Sequence, residues 1–395
     1  MTEQAPPPGE REQRLQRVRA RMAQRSLSAL VVTDPANLYY LTGYDAWSFY
    51  MPQALVVPAE GEMRLYARSM DAAGACFTAD LAPEQVDGYP ESLVHRPDIH
   101  PFEWITTRAV ERGVLVDRPG STIAVEGDSH FFTARAYQSL VAGLQHARVV
   151  DSDELVNWVR LVKSEHEVER LRIAGSIAGR AMTAALDAIR PGRRQCDVVA
   201  EILAAQATGT PEHGGDYPAI VPMLPTGETA GTPHLTWSEV PFERDQATTI
   251  ELAGVYDRYH APIARTVMLG NPPSRLADMA KIIQEGLVTT LDATGPGATG
   301  GDVHAAFNTV ISAHGLTKES RVGYSIGIGY PPDWGERTVS LRHEEQTVLA
   351  PGMAFHVILG MWMDGWGYEL SEPVIVTASG VEHLADVPEE LVIRK

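Results

Sequence analysis

The chain has 395 residues, enough for one large domain or two ordinary domains with a sizeable core. Its 33 basic and 51 acidic residues give a formal net charge of −18, which argues against nucleic acid or an anionic membrane surface as a partner. The two cysteines, Cys76 and Cys196, are too few for a disulfide framework and lack the spacing of a metal site. With no apolar run of transmembrane length and no signal-peptide pattern, the sequence predicts a cytoplasmic protein.

The first part of the chain alternates short apolar segments with amphipathic ones. This alternation predicts strands that are separated by helices, and therefore an α/β domain over residues 1–157. The predicted strands cover residues 28–32, 53–57, 63–67 and 121–127, and the predicted helices cover 11–26 and 131–144.

Residues 43–53 (GYDAWSFYMPQ), called the aromatic loop below, do not fit this alternation. Trp47, Phe49 and Tyr50 follow Tyr44 within a few positions, between predicted elements. From spacing alone, the better interpretation is a small cluster of side chains beside the core.

Residues 186–198 (LDAIRPGRRQCDV) and 291–303 (LDATGPGATGGDV) match at seven positions without a gap. Each copy predicts the end of a helix, a Pro-Gly turn and the start of a second helix, with Asp197 and Asp302 as candidate N-caps. One repeat of this length indicates a duplicated half-domain. We therefore predict a pseudo-twofold α+β domain over residues 158–395, with a cleft between its halves.

Residues 249–267 (TIELAGVYDRYHAPIARTV) are typical of a β-hairpin, with turn residues near Asp257. Glu251 lies between apolar neighbours on the first strand. A half-buried strand rarely holds a carboxylate without a partner, so Glu251 is either a paired structural charge or a functional group.

The hairpin resembles the metal-ligand hairpin of the creatinase/aminopeptidase P ("pita-bread") family, whose pattern is D-x-G-x-x-Y-x-G-Y-x-x-D-x-T-R-T. Tyr256, Tyr259 and Arg265–Thr266 match that pattern. The sequence YHAP after a glutamate resembles a metal-free branch of this family, the ectoine hydrolases, more than it resembles the family pattern. The segments GYDAWSFY, GGDYPAI, PHLTW and YPPDWGER resemble that branch too.

The resemblance implies that the family's metal site is lost. Members with two metal ions use two aspartates, a histidine and two glutamates. The matching positions here are Glu251, Pro262, Tyr324, Ile358 and Ser371. Only Glu251 could still ligate a metal, so we expect neither a metal ion nor another cofactor.

The resemblance also implies a small, ectoine-like substrate and a hydrolase that opens its cyclic amidine ring. Glu251 would be the nucleophile or the base for water, and His234 would move the proton to the departing nitrogen. Glu369 would pair with a ring N–H. In relatives the aromatic loop reaches the partner subunit's site, which implies a homodimer. The residues expected to bind substrate are Trp47, Tyr50, Tyr217, His260, Tyr324, Trp334, Trp362 and Glu369.

Three other functions remain open from the sequence. A Xaa-Pro dipeptidase or aminopeptidase conflicts with the missing ligands. A creatinase-like C–N hydrolase conflicts with Ala264, which stands where creatinase has its substrate-holding carboxylate. A non-catalytic binding protein would leave Glu251, His234 and the aromatic segments unexplained. Whether 5-hydroxyectoine is also a substrate stays open.

Overall fold

The computed structural model describes residues 6–395 and divides into two compact units, Met1–Arg160 and Leu161–Lys395. Residues 1–5, which belong to the predicted N-terminal domain, lie outside the described residues. The predicted fold class is confirmed: an α/β unit comes first, and an α+β unit with duplicated halves follows it.

The first unit is built on one mixed six-stranded sheet in the order β4-β3-β2-β1-β5-β6. Strand β2 pairs antiparallel with β1 and β3, and the remaining pairs are parallel. The strands are β1 Ala29–Val32, β2 Ala54–Pro58, β3 Arg64–Arg68, β4 Val86–Tyr89, β5 Thr122–Val125 and β6 Arg148–Asp151. The helices are α1 Glu10–Gln24, α2 Pro35–Thr42, α3 Ser69–Thr78, α4 Pro101–Glu111, α5 Ala134–Ala142 and α6 Leu155–Arg160.

The second unit contains an eight-stranded sheet with β15-β14-β11-β9-β8-β16 in order, to which β7 adds beside β8 and β10 beside β9. The helices are α7 Glu165–Ala188, α8 Gln195–Thr208, α9 Ser274–Ala293 and α10 Gly300–Ala313. The strands are β7 Gln246–Tyr256, β8 Tyr259–Leu269, β9 Gly323–Tyr330, β10 Asp333–Ser340, β11 Ala354–Ile358, β12 Met361–Met363, β13 Trp366–Tyr368, β14 Ser371–Thr377, β15 Gly380–His383 and β16 Val392–Arg394.

The sequence repeat corresponds to a structural repeat, because each copy joins two helices and is followed by a hairpin. The helix ends Ala188 and Ala293, and the helix starts Gln195 and Gly300, occupy matching positions in the two copies. The predicted aspartate N-caps are wrong. Thr299 is the N-cap of α10, and Asp302 is its third residue, where its carboxylate accepts from the Thr299 backbone N–H at 2.8 Å.

The β7–β8 hairpin is in full register, from Gln246 opposite Leu269 to Tyr256 opposite Tyr259. The turn is therefore only Asp257–Arg258, and both residues have positive φ, of 49° and 65°. A two-residue turn with this backbone matches the twist of the strands and keeps them paired to the end. Strand alternation then places Glu251 on the face opposite to Ile250 and Leu252.

No helix in the described part of the chain is long and apolar enough to cross a membrane.

Candidate active site

A cavity of about 530 Å³ lies in the second unit beside strands β7, β9 and β10. Five of the residues expected at the site line it: His234, Glu251, Tyr324, Trp334 and Trp362. A larger surface groove beside α7 and α8 contains none of the expected residues. The cavity is lined by Ile220, Val221, Met223, Pro233, His234, Thr236, Glu251, Lys318, Ser320, Arg321, Tyr324, Asp333, Trp334, Ile358 and Trp362.

Glu251 is held rigidly while its carboxylate faces the cavity. Its backbone pairs with Ala264 on β8 and with Met223, which donates to the Glu251 carbonyl at 2.9 Å. The residue is 6% exposed, and its carboxylate makes no hydrogen bond to any residue among 6–395. Burial, and then the neighbouring charge of Glu369, raise the pKa of Glu251 well above its ordinary value.

Glu369 is a second buried carboxyl group, 4% exposed, which lies just before β14 and is not among the residues that line the cavity. The Thr266 hydroxyl donates to its carbonyl at 2.9 Å, and this fixes its backbone to β8. Burial raises the pKa of Glu369 to about 7, although Lys318 lowers it. The negative charge of Glu369 therefore disfavours the ionised form of Glu251.

Lys318 is a cavity residue that the sequence analysis missed. Its Nζ donates to the Gly360 carbonyl at 2.6 Å and lies 4.8 Å from the centre of the Trp362 ring. Burial lowers its pKa to about 8, while Glu369 raises it. Lys318 and the exposed Arg321 are the two basic residues of the lining, and they give the cavity a cationic side beside its acidic one.

Tyr324 belongs to a buried chain of hydrogen bonds. Its Oη accepts from Trp334 Nε1 at 2.8 Å and lies 2.9 Å from His356 Nδ1. The other imidazole nitrogen of His356 lies 2.7 Å from Ser371 Oγ, which accepts from the Ala264 N–H at 2.6 Å. Burial, and then the charge of Arg321, lower the pKa of His356 to about 3, so this ring is neutral. The sequence analysis also missed His356, because a histidine in an apolar strand is typical of a core residue.

His234 lies at the exposed side of the cavity, in the loop between α8 and β7. Its backbone is left-handed, with φ of 66°, which is uncommon for a residue other than glycine. Backbone strain of this kind is found preferentially at functional sites, and here the strained residue is a histidine that lines the cavity.

His260 and Tyr217 were expected to bind substrate, but both make other contacts. His260 is fully buried and lies outside the cavity lining; its Nε2 accepts from Ala219 N–H at 2.9 Å and its Nδ1 lies 2.8 Å from the Arg258 carbonyl. The Tyr217 ring lies 3.8 Å from the Arg258 guanidinium, which is also 4.4 Å from Tyr330. Because the backbone uses both ring nitrogens of His260, these atoms are not available to a ligand in this structure, and direct contact of His260 with the substrate stays a prediction.

Trp47 and Tyr50 belong to the first unit, where they are 57% and 65% exposed. The ring of Trp47 contacts Phe49, with ring centres 5.0 Å apart. The aromatic loop thus presents two large rings to solvent, whereas its other two aromatic side chains, Tyr44 and Phe49, are buried.

The family's metal site does not fit the residues present. Four of its five ligand positions are occupied here by Pro262, Tyr324, Ile358 and Ser371. Tyr324 and Ser371 are in addition hydrogen-bonded to His356. Within the described residues, no group of three or more His, Cys, Asp or Glu side chains is arranged to hold a metal ion.

Comparison with known proteins agrees with this architecture. Residues 14–162 match the creatinase/prolidase N-terminal domain, and residues 169–378 match metallopeptidase family M24. The ectoine hydrolase of Halomonas elongata is 43% identical over 96% of both chains, and an uncharacterized hydrolase/peptidase of Sinorhizobium fredii is 42% identical over 98% of this chain and 97% of its own. The solved prolidase of Thermococcus sibiricus is 17% identical and superimposes with a TM-score of 0.84, covering 98% and 99% of the two chains. The chain therefore belongs to metallopeptidase family M24, a family of hydrolases, and in this chain the family's domain follows a creatinase/prolidase N-terminal domain.

Proposed function

We propose that the chain is a metal-independent hydrolase that opens the cyclic amidine ring of ectoine to N-acetyl-2,4-diaminobutyrate. The observation that carries the proposal is the buried carboxyl group of Glu251 in a cavity lined by Trp334 and Trp362, at a site that lacks the family's metal ligands. The charge of the buried Glu369 acts on Glu251. The identity to the Halomonas elongata enzyme extends over nearly the whole chain and supports the same substrate class.

The cavity suits a planar cation that carries a carboxylate. The amidinium would lie against the Glu251–Glu369 pair, where its charge compensates theirs, and against the indole faces of Trp334 and Trp362. An aromatic face stabilises a desolvated cation by about 0.5–2 kcal/mol. The substrate carboxylate would face Lys318 and Arg321 on the cationic side.

The reaction adds one water molecule across a C–N bond without a change in oxidation state. Glu251 removes a proton from water as the oxygen attacks C2, the amidine carbon, and a tetrahedral centre forms. The centre collapses to an amide carbonyl, the bond from C2 to one ring nitrogen breaks, and His234 supplies the proton that this nitrogen takes up. Direct attack of the Glu251 carboxylate on C2, with loss of the same ring nitrogen, would leave an imidoyl ester of Glu251, and addition of water to C2 with release of the carboxylate gives the same products.

The first prediction concerns the substrate and the absence of a metal. Purified protein incubated with ectoine should produce N-acetyl-2,4-diaminobutyrate in an NMR time course, at the same rate with and without a chelator. 5-Hydroxyectoine and a Xaa-Pro dipeptide are run alongside as competing substrates. Cleavage of the dipeptide alone, or loss of ectoine turnover in chelator together with a stoichiometric metal by elemental analysis, would contradict the proposal.

The second prediction concerns Glu251. Glu251→Gln keeps the shape of the side chain and removes its basicity, so it should fold normally and hydrolyse ectoine at least about a hundredfold more slowly. Glu243→Gln, on the exposed loop before the same strand, is the control and should keep full activity. Mass spectrometry of wild type quenched during turnover separates the two routes, because only direct attack leaves an adduct on the Glu251 peptide. Near-normal turnover by Glu251→Gln would refute the mechanism.

The third prediction concerns pH. Because the negative charge of Glu369 disfavours ionisation of Glu251, removing that charge lowers the pKa of Glu251. Activity requires the ionised Glu251, so Glu369→Gln should move the acidic limb of the kcat/KM profile, recorded between about pH 5 and 9, to lower pH. The shift in the limb is independent of any weaker binding, which changes the height of the profile. An unmoved limb, or one at higher pH, would show that the two carboxyl groups are not coupled.

We also propose that the active unit is a homodimer in which the aromatic loop completes the site of the partner subunit. The exposed rings of Trp47 and Tyr50 on the first unit support this proposal, since large aromatic side chains in solvent are typical of contact surfaces.

The fourth prediction tests this shared site. Trp47→Ala and Glu251→Gln are each expected to reduce activity strongly as pure homodimers. Co-expressed in equal amounts, they should recover about one quarter of wild-type activity, because half of the dimers are hybrids with one intact site of two. Two Glu251→Gln chains with different tags serve as the control. Hybrid dimers that are isolated and remain inactive would exclude a shared site.

A further inference from the structure

Trp334, Tyr324, His356 and Ser371 form a chain of hydrogen bonds in which the donor and the acceptor of each bond can be identified. All four side chains are partly or fully buried, and their hydrogen-bond partners among the described residues are one another and the Ala264 N–H. Strand pairing holds the arrangement, since His356 lies directly opposite Tyr324 and Ser371 lies opposite Ile358 two positions further along β11.

The two ends of the chain fix the direction of donation. The indole N–H of Trp334 and the backbone N–H of Ala264 can only donate, so Tyr324 Oη and Ser371 Oγ each accept one hydrogen bond. Ser371 is fully buried, and the acceptor within reach of its hydroxyl proton is His356 Nε2. Ser371 therefore donates to Nε2, because the opposite direction would bury a hydroxyl proton without an acceptor.

This assignment determines the tautomer of His356 and the direction of the Tyr324 hydroxyl. The neutral imidazole carries its one proton on Nδ1 and donates it to Tyr324 Oη at 2.9 Å. Tyr324 then accepts from both Trp334 and His356, and both acceptor positions of the phenol oxygen are occupied. Its own O–H must point in the remaining direction, toward the cavity that Tyr324 lines together with Glu251.

We propose that Tyr324 is a fixed hydrogen-bond donor to the reacting oxygen, and that His356 and Ser371 are positioning residues that keep its O–H directed into the cavity. This role rests on the proposed function. The oxygen that attacks C2 gains negative charge in the tetrahedral centre, and a preorganised donor stabilises that charge. No proton is transferred: burial and the charge of Glu251 raise the pKa of Tyr324 well above its ordinary value, so the phenol keeps its proton throughout.

The direct test is the tautomer, read by nitrogen-15 NMR of histidine-labelled full-length protein without substrate. His356, identified by the signals lost in His356→Asn, should carry its proton on Nδ1 and leave Nε2 unprotonated. His260 is an internal reference, because its Nε2 must accept from Ala219 N–H and its Nδ1 must donate to the Arg258 carbonyl. A proton on Nε2 of His356 would overturn the proposal, whether or not ectoine is the substrate.

Kinetics with ectoine then test the role. Tyr324→Phe should lower kcat by about a hundredfold with KM changed less than about threefold, as for loss of one donor to a developing oxyanion. Ser371→Ala should lower kcat by about tenfold in wild type and have no further effect in the Tyr324→Phe background, because Ser371 acts through Tyr324. An equal loss in both backgrounds, or a loss confined to KM, would refute the positioning role. If wild type does not turn over ectoine, the proposed function fails, and the NMR result still decides the hydrogen-bond assignment.

Discussion

The structure of the candidate site depends on two carboxyl groups, Glu251 and Glu369, that are buried close together. Each is raised in pKa by burial, and Glu251 also by the charge of Glu369. Members of the family that bind metals neutralise such acids with divalent cations, but four of the five ligand positions here cannot serve. Lys318 supplies part of the missing positive charge. We therefore expect this site to bind a cation favourably. A cationic amidine bound there would lower the pKa of Glu251, the base of the proposed reaction.

The positions that lost their metal ligands are not simply filled with apolar residues. Tyr324 and Ser371 replace a histidine and a glutamate, and His356 joins them into one hydrogen-bonded chain. In the proposed assignment, only the O–H of Tyr324 is left without a partner among the described residues. That O–H would act as the hydrogen-bond donor to the reacting oxygen.

Much of the fold could be predicted, because it has periodic signals in the sequence. The duplicated helix–turn–helix segments and the β7–β8 hairpin were visible as a repeat and as turn residues, and Glu251 was conspicuous as a charge on an apolar strand. Lys318 and His356 had no such signal. Lys318 lies in an irregular loop and reaches the cavity by donating to Gly360, 42 positions away, whereas His356 lies in an apolar strand. Contacts of this kind depend on tertiary packing, which neither spacing nor strand alternation encodes.

The cation–π interactions of this protein involve the guanidinium of Arg258 and, in the proposed complex, the cationic substrate. The sequence analysis placed Tyr217, Trp334 and Trp362 around the substrate. The ring of Tyr217, together with that of Tyr330, instead encloses the guanidinium of Arg258 in the hairpin turn. Of the tryptophans that line the cavity, Trp334 is only 1% exposed, and Trp362 already has Lys318 Nζ 4.8 Å from its centre. An amidinium that stacked there would repel Lys318 and would be drawn toward Glu251 and Glu369, while the substrate carboxylate would compensate the lysine. Only a ligand with both charges satisfies both sides of this cavity, and this requirement selects a zwitterion over a simple cation.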